Sequence, residues 1–273
     1  MSNFTYRSIF ISDIHLGTKN CKANYLLDFL RSTSSEYLYL VGDIFDLVSM
    51  KKRLYWTESY NEILQEIFRK AQSETKVIYI PGNHDAWFRG FSSTTLHGIR
   101  IENDTIHITA DNKRFFVSHG DEFDSLIRHN RILFIMGERT YNLLLRLNRL
   151  INIFRNKLGK RYWSLSVWLK SQINNANEYV NKYETIAAYK ASQDGYDGYI
   201  CGHIHKPGIR RVNKVLYCND GDWVEHCTAL TEDENGCLRL LHWSDHARIE
   251  AVSQGLEVDT TVSPFPIHAY GKH

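Results

Sequence analysis

Apolar and polar positions follow two alternating periods through the first hundred residues. Arg7 to Ser12 is a short apolar, β-branched run that stops at Asp13-Ile14-His15. Ala23 to Arg31 follows, with Tyr25, Leu26, Phe29 and Leu30 at the spacing of a helix that buries one face. Tyr37 to Val41 predicts the next buried strand, closed by Gly42-Asp43. Tyr60 to Ala71 has helical period, and Val77 to Ile80 predicts a third strand closed by Pro81-Gly82-Asn83. Strands alternating with helices predict βαβ units, an α/β class and a partly parallel sheet.

The pattern changes from Ile99. Thr105 to Ile108, Arg114 to Ser118, Gly198 to Cys201, Val215 to Cys218, Thr228 to Thr231 and Leu238 to Trp243 are short strand-like runs, most of them separated by turn residues. They predict a second, mainly antiparallel sheet. Between Phe123 and Ser192 lies a helical stretch rich in Leu, Ile, Asn and aromatics, and the tail after Glu250 has no period. The chain is therefore read as a core of residues 1–122 and 193–250, a helical insertion at 123–192 and a tail at 251–273. No repeat or low-complexity tract interrupts it.

Composition narrows the function classes. A net charge of +2 over 273 residues gives no overall basicity, so a nucleic-acid or membrane role requires local clustering of charge. Cys21, Cys201, Cys218, Cys227 and Cys237 are odd in number and form no CxxC pair, which predicts reduced thiols in a cytoplasm rather than a disulfide framework or structural zinc site. The opening MSNFTYRSIFISD lacks the charged-then-apolar order of a signal peptide. The most apolar stretch, Leu143 to Phe154, carries Arg146 and Arg149, so no spanning helix is expected.

Candidate chemistry sits where apolar runs stop. Asp13-x-His15, Gly42-Asp43, Gly82-Asn83-His84-Asp85, Ser118-His119-Gly120 and Gly202-His203-Ile204-His205 share one design: a strand, then at once a ligand-type residue. Loops at the carboxyl ends of parallel strands open on one crevice, where such residues can meet. Asp13, His15, Asp43, Asn83, His119, His203 and His205 mix oxygen and imidazole donors, the set that suits Mn, Fe or Zn. Seven donors exceed what one catalytic ion with an open position accepts. Two ions sharing one carboxylate accommodate them, and Asp43, alone on its strand end, is the candidate for the shared ligand. A single Asp-x-His pair among thirteen histidines is a chance event; five such elements, each directly after a strand, are not.

The order D-x-H, GD, GNHD, SHGD, GHIH resembles the signature of calcineurin-like metallophosphoesterases, from about Ile9 to Leu241. The resemblance implies a four-layer α/β/β/α sandwich of two mixed sheets flanked by helices, with the insertion as a lid, and a site for two divalent metal ions. Under it Asp13, His15, Asp43 and His205 hold one ion, and Asp43, Asn83, His119 and His203 the other. His84 becomes the residue that stabilises the transition state or protonates the leaving oxygen. Either Asp46 or Asp85 orients it, or serves only the turn. Manganese is the expected metal, with iron or zinc as alternatives.

Within that superfamily the chain is most similar to the UDP-2,3-diacylglucosamine diphosphatases of lipid A synthesis. The similarity rests on Val41-Gly42-Asp43-Ile44-Phe45-Asp46, His119-Gly120-Asp121, the helical insertion and Asn219-Asp220-Gly221-Asp222-Trp223. It departs at His84, where those enzymes often carry arginine. The similarity implies hydrolysis of the diphosphate of a nucleotide-linked lipid. Taken as one helix, Arg128 to Arg149 places Arg128, Arg131, Arg139, Arg146 and Arg149 within an arc of about 80° beside a wide apolar face. Such a helix suits a lid, or peripheral contact with the inner face of the cytoplasmic membrane, and Tyr162, Trp163 and Trp168 extend that character. Simple packing of its apolar face on the core is an equal reading. Arg128, Arg131 and Asp121, near His119 in sequence, are candidates to bind a substrate phosphate. The remaining alternatives are a phosphodiesterase or nuclease of other specificity, with nucleic acid the less favoured partner, and a non-catalytic module on the same fold.

Overall fold

The computed structural model describes residues 4–124, 148, 151, 152, 155 and 174–244, with side chains in the last stretch from Tyr179 onward. Arg128, Arg131, Tyr162, Trp163, Trp168, most of the expected helix from Arg128 to Arg149 and the tail after Glu250 lie outside the described residues.

The first half delivers the alternation that its periodicity predicts. Strand β1 (Phe4–Ile11) leads to helix α1 (Ala23–Ser32), β2 (Thr33–Val41), α2 (Leu47–Lys52), α3 (Glu58–Ala71) and β3 (Lys76–Ile80). Two short strands, β4 (Thr94–Leu96) and β5 (Ile99–Ile101), precede β6 (Thr105–Ile108) and β7 (Arg114–Val117). Helix α4 (Asn174–Gln193) then leads to β8 (Gly198–Cys201), β9 (Gly208–Val212), β10 (Val215–Asn219), β11 (Thr228–Glu232) and β12 (Leu238–His242). One sheet has seven strands in the order β12-β11-β1-β2-β3-β5-β4, and the other has five in the order β6-β7-β8-β10-β9.

The period of two explains the layers. Along β1 and β2, Ile9, Ile11, Leu38 and Leu40 face α1 and α3, whose Leu26, Phe29, Leu30, Ile63 and Ile67 cover them. Phe10, Tyr39 and Val41 point the other way, onto Phe115, Val117, Ile200 and Cys218 of the second sheet. Buried on both faces, these strands read as continuous apolar runs rather than alternating ones. Tyr183, Ala187, Ala188 and Ala191 of α4 close the outer face of the second sheet against Tyr199, Cys201 and Tyr217. The result is a mixed α/β sandwich of two mixed sheets flanked by helices. The C-terminal part of the stretch read as an insertion is thus the outer layer helix.

The second sheet differs from its expectation. β7 runs parallel to β8 and β8 to β10, and only the edge pairs β6/β7 and β10/β9 are antiparallel. A parallel β7/β8 pair requires a crossover, and α4 lies within that connection. β11 and β12 belong to the first sheet instead, with β11 antiparallel to β1. Short apolar runs report that a strand forms, not which sheet accepts it. A polar group bolts the two sheets together. Buried Glu232 accepts from Arg7 at 2.8 Å and from Ser8 at 2.6 Å; its Oε2 also lies 2.7 Å from Nε2 of His107 in β6.

Candidate metal centre

β1, β2 and β3 are parallel neighbours, as are β7 and β8, so five C-terminal strand ends open toward one place. The turns after them are tight. Asp13 N donates to Gly42 O at 3.0 Å and His15 N to Asp43 O at 2.9 Å, lacing the first two ends together. Asp13, His15, Asp43, His203 and His205 all have positive φ, between 49° and 66°. Glycine is required where the chain passes closest: at Gly42, with φ of +85°, a Cβ would collide with the His119 ring, and at Gly82 with Asp43 Oδ1.

Asp13, His15 and His205 converge. Asp13 Oδ1 stands 3.0 Å from His205 Nε2 and 3.7 Å from His15 Nε2, while its Oδ2 accepts from Ser12 Oγ at 2.6 Å and His203 N at 2.8 Å. Asp13 Oδ1 and His15 Nε2 are buried and neither makes a hydrogen bond among the described residues. Lone-pair atoms buried so close without satisfying one another are costly unless a cation joins them. Asp13 with His15 and His205, and Asp13 with Asp43 and His119, each place ligand atoms within 4.8 Å of one another. The donor set therefore fits a divalent metal.

Asp43 lies between the two groups. Its Oδ1 accepts from His84 N at 2.8 Å, and its Oδ2 is 3.5 Å from His119 Nε2 and 3.9 Å from His15 Nε2. Asn83 Oδ1 is 3.2 Å from His119 Nε2, whose ring is anchored through Nδ1 on Val41 O at 2.9 Å. The His203 ring meets the His119 ring edge-on at 5.1 Å. Burial disfavours charge on His15 and His119, yet Asp13, Asp43 and, at His15, Asp46 outweigh it and raise both pKa values. Burial likewise opposes ionisation of Asp13 and Asp43, but the histidines hold both below the usual carboxylate range. A field that gathers protons here also favours a dication.

The structure separates Asp46 from Asp85. Asp46 Oδ1 is 2.9 Å from His84 Nδ1 and also accepts from Ser49 N at 2.7 Å, capping α2; its Oδ2 is 3.5 Å from His15 Nδ1. Burial pushes Asp46 up, but His15 and His84 bring it well below the usual range. Asp85 instead accepts from Gly82 N at 2.6 Å, Ile44 N at 2.8 Å, Phe45 N at 3.1 Å and Tyr79 OH at 2.6 Å, tying the ends of β2 and β3. Asp121 pairs with Arg89 at 2.6 Å, and Arg89 also donates to Pro81 O at 3.2 Å.

Several residues outside the candidate ligand sets support the centre, among them Asp124, which no sequence motif singled out. Ser12 Oγ lies 2.5 Å from Asp220 Oδ1 as well as beside Asp13, and its one proton serves only one carboxylate. Burial, with the charge of Asp13, raises the pKa of Asp220 well above the carboxylate range. Asp222 accepts from Val224 N at 2.8 Å and from His226 Nδ1 at 2.5 Å, and lies 3.9 Å from His205 Nδ1. Trp223, fully buried against Phe29, donates its backbone N–H to Asp13 O at 3.1 Å. Asp124 Oδ1 meets His203 Nε2 at 3.0 Å.

Residues 6–207, most of the chain, match the calcineurin-like phosphoesterase family. The chain belongs to that family. A DNA polymerase II small subunit of Halobacterium salinarum is 24% identical over 247 residues, covering 82% of this chain and 45% of that protein. The chain thus spans less than half the length of that relative. Among solved structures, an archaeal phosphodiesterase is 15% identical with a TM-score of 0.41, covering 86% of this chain and 98% of the other. The Yfce phosphoesterase of E. coli is 13% identical, also with a TM-score of 0.41 and coverage of 86% and 98%. No described helix is long and apolar enough to cross a membrane.

Proposed function

We propose that the chain is a dinuclear phosphohydrolase that splits the diphosphate of a nucleotide-linked lipid, such as UDP-2,3-diacylglucosamine, into UMP and a lipid-sugar 1-phosphate. The observation that carries the hydrolytic reading is Asp43 Oδ2, set between His15 and His119 at 3.9 and 3.5 Å. In this reading Asp13, His15, Asp43 and His205 hold one ion, and Asp43, Asn83, His119 and His203 hold the second. Manganese suits this mixed set, with iron and zinc as alternatives. When bound, such a pair acidifies water and neutralises charge on phosphoryl oxygens.

The chain's own groups supply the rest. Asp43 Oδ1 is occupied by His84 N, which fixes the carboxylate plane and leaves Oδ2 for sharing. Asp46 accepts from His84 Nδ1, so the transferable proton of an imidazolium sits on Nε2, 4.0 Å from Asp43 Oδ2. Water adds to phosphorus, the P–O bond to the leaving phosphate breaks, and His84 Nε2 gives that oxygen a proton or stabilises its charge. Asp46 acts as the positioning residue. Support for the lipid-linked substrate comes from the motifs shared with the diphosphatases, and from the arginine-striped sequence between Arg128 and Arg149, read as a lid. The relative named as a DNA polymerase small subunit supports a second reading, phosphodiester cleavage in nucleic acid.

The two readings part in one experiment. Mn-loaded protein is assayed on UDP-2,3-diacylglucosamine, UDP-glucosamine and single-stranded DNA, beside Asp43→Ala. The diacylated substrate is expected to be cleaved with release of UMP, and the variant to lose about a thousandfold or more, the few kcal/mol that charge neutralisation supplies. Equal cleavage of both sugars removes the lipid preference, and cleavage of DNA alone selects the second reading. Protein that binds no transition metal, with Asp43→Ala as active as the parent, ends both.

A further inference from the structure

Three of the four candidate imidazole ligands turn Nε2 toward Asp13 or Asp43 and have Nδ1 beside a group in the core of the fold. His119 Nδ1 donates to Val41 O at 2.9 Å, His15 Nδ1 lies 3.5 Å from Asp46, and His205 Nδ1 lies 3.9 Å from Asp222. All three therefore present Nε2. His203 is reversed. Its Nε2 meets Asp124 Oδ1 at 3.0 Å, leaving Nδ1 as the nitrogen with a lone pair to offer. An ionised carboxylate only accepts, so this contact places the ring proton on Nε2 and fixes the tautomer.

The support for His203 also comes from a different part of the chain. Asp124 lies just after β7 and the turn that carries His119. Tyr179, in α4 and 55 positions later, donates its hydroxyl to the same Asp124 Oδ1 at 3.1 Å. One turn further along α4, Tyr183 OH donates to Gly120 O at 2.8 Å and its ring stands 6.3 Å from that of His203. A residue just after β7 and one in α4 are thus joined to each other and to one candidate ligand.

We propose that Asp124 and Tyr179 form a brace that sets the tautomer and ring orientation of His203, so that loading of the second ion depends on the contact between the segment after β7 and helix α4. The inference rests on the reading of His203 as a ligand and goes beyond it by assigning two positioning residues and a coupling. The test uses the full chain stripped of metal and titrated with Mn²⁺, following free Mn²⁺ by electron paramagnetic resonance. The parent is expected to bind two ions. Asp124→Asn should bind the first with parental affinity and the second about 10–100-fold more weakly, as loss of an outer carboxylate on a ligating histidine does. Tyr179→Phe should shift the second ion in the same direction by less. Nitrogen-15 NMR of the metal-free parent, at a pH where the ring is neutral, should show the His203 proton on Nε2; this readout decides even where a variant does not fold. Asp124→Asn binding both ions as the parent does, or a His203 proton on Nδ1, overturns the brace. A parent that binds no ion overturns the metal centre itself and is recognised separately.

Discussion

Five of the seven candidate ligands, Asp13, His15, Asp43, His203 and His205, adopt a left-handed backbone that L-residues avoid. Residues held in such regions cost on the order of 1–3 kcal/mol each, and they persist where the surroundings over-determine them. Here the strain turns each side chain sharply off its strand end into the crevice, where hydrogen bonds such as His203 N to Asp13 Oδ2 at 2.8 Å hold it. At this scale His84 is the residue to change. It contacts Asp46 and lies beside Asp43 but outside the two ligand sets, so His84→Asn should retain both metals and lower kcat by about 10²–10⁴-fold, the usual contribution of a proton-transfer group. Metal analysis beside steady-state kinetics checks this; loss of an ion in step with activity would instead make His84 a ligand.

At the scale of elements, α3 is fastened to the start of β2 by a buried amine. Lys70 Nζ donates to Thr33 O at 2.5 Å, and burial, helped by Arg69, brings its pKa down to about 8 from the ordinary 10.5. Between those values the unfolded chain binds more protons than the folded one, so this group adds stability as pH rises from about 8 toward 10.5. Below that window both states are charged and the cost of burying the ammonium is fully present. Urea unfolding of the parent and of Lys70→Met, compared at the two ends of the window, should show the difference moving in favour of the parent at high pH. A difference that is flat or moves the other way removes the assignment.

For the whole molecule, the junction between the sheets matters as much as either sheet. Glu232 is fully buried and serves Arg7, Ser8, His107 and the backbone of Ala110, while His107 Nδ1 also meets Tyr39 OH at 3.0 Å. Glu232→Ala strands those partners, and breaking a buried pair from one side costs about 3–5 kcal/mol. Denaturant unfolding should record that loss while Mn²⁺ stoichiometry stays at the parental value, because the network contributes no candidate ligand. Burial raises the Glu232 pKa, but His107, Ser8 and the Ala110 amide more than reverse this and leave it depressed. Its stabilisation is therefore complete above the ordinary glutamate range and lost as pH falls through the lowered value. Acid titration of the parent against Glu232→Ala should show the two stabilities converging at low pH.

Much of this was legible without coordinates, for a local reason. A strand's side-chain period and the residue that ends it lie within a few positions of one another, so β1, β2, β3, β7 and β8 and the donors that follow them can be read directly. Edge elements could not be. β9 carries Arg210 and Arg211 on an exposed edge and has no apolar signature, and α2 is a short helix begun by Asp46. Tertiary structure alone decided that β11 and β12 join the first sheet, since an apolar run fits either. It also decided that Asp46 rather than Asp85 reaches His84, although both stand at turns beside the centre. Contacts such as Asp124 with His203, 79 positions apart, or His107 with Glu232, 125 apart, depend on how sheets and helices stack. That stacking is set by burial summed over the whole chain, and no single segment of sequence records it.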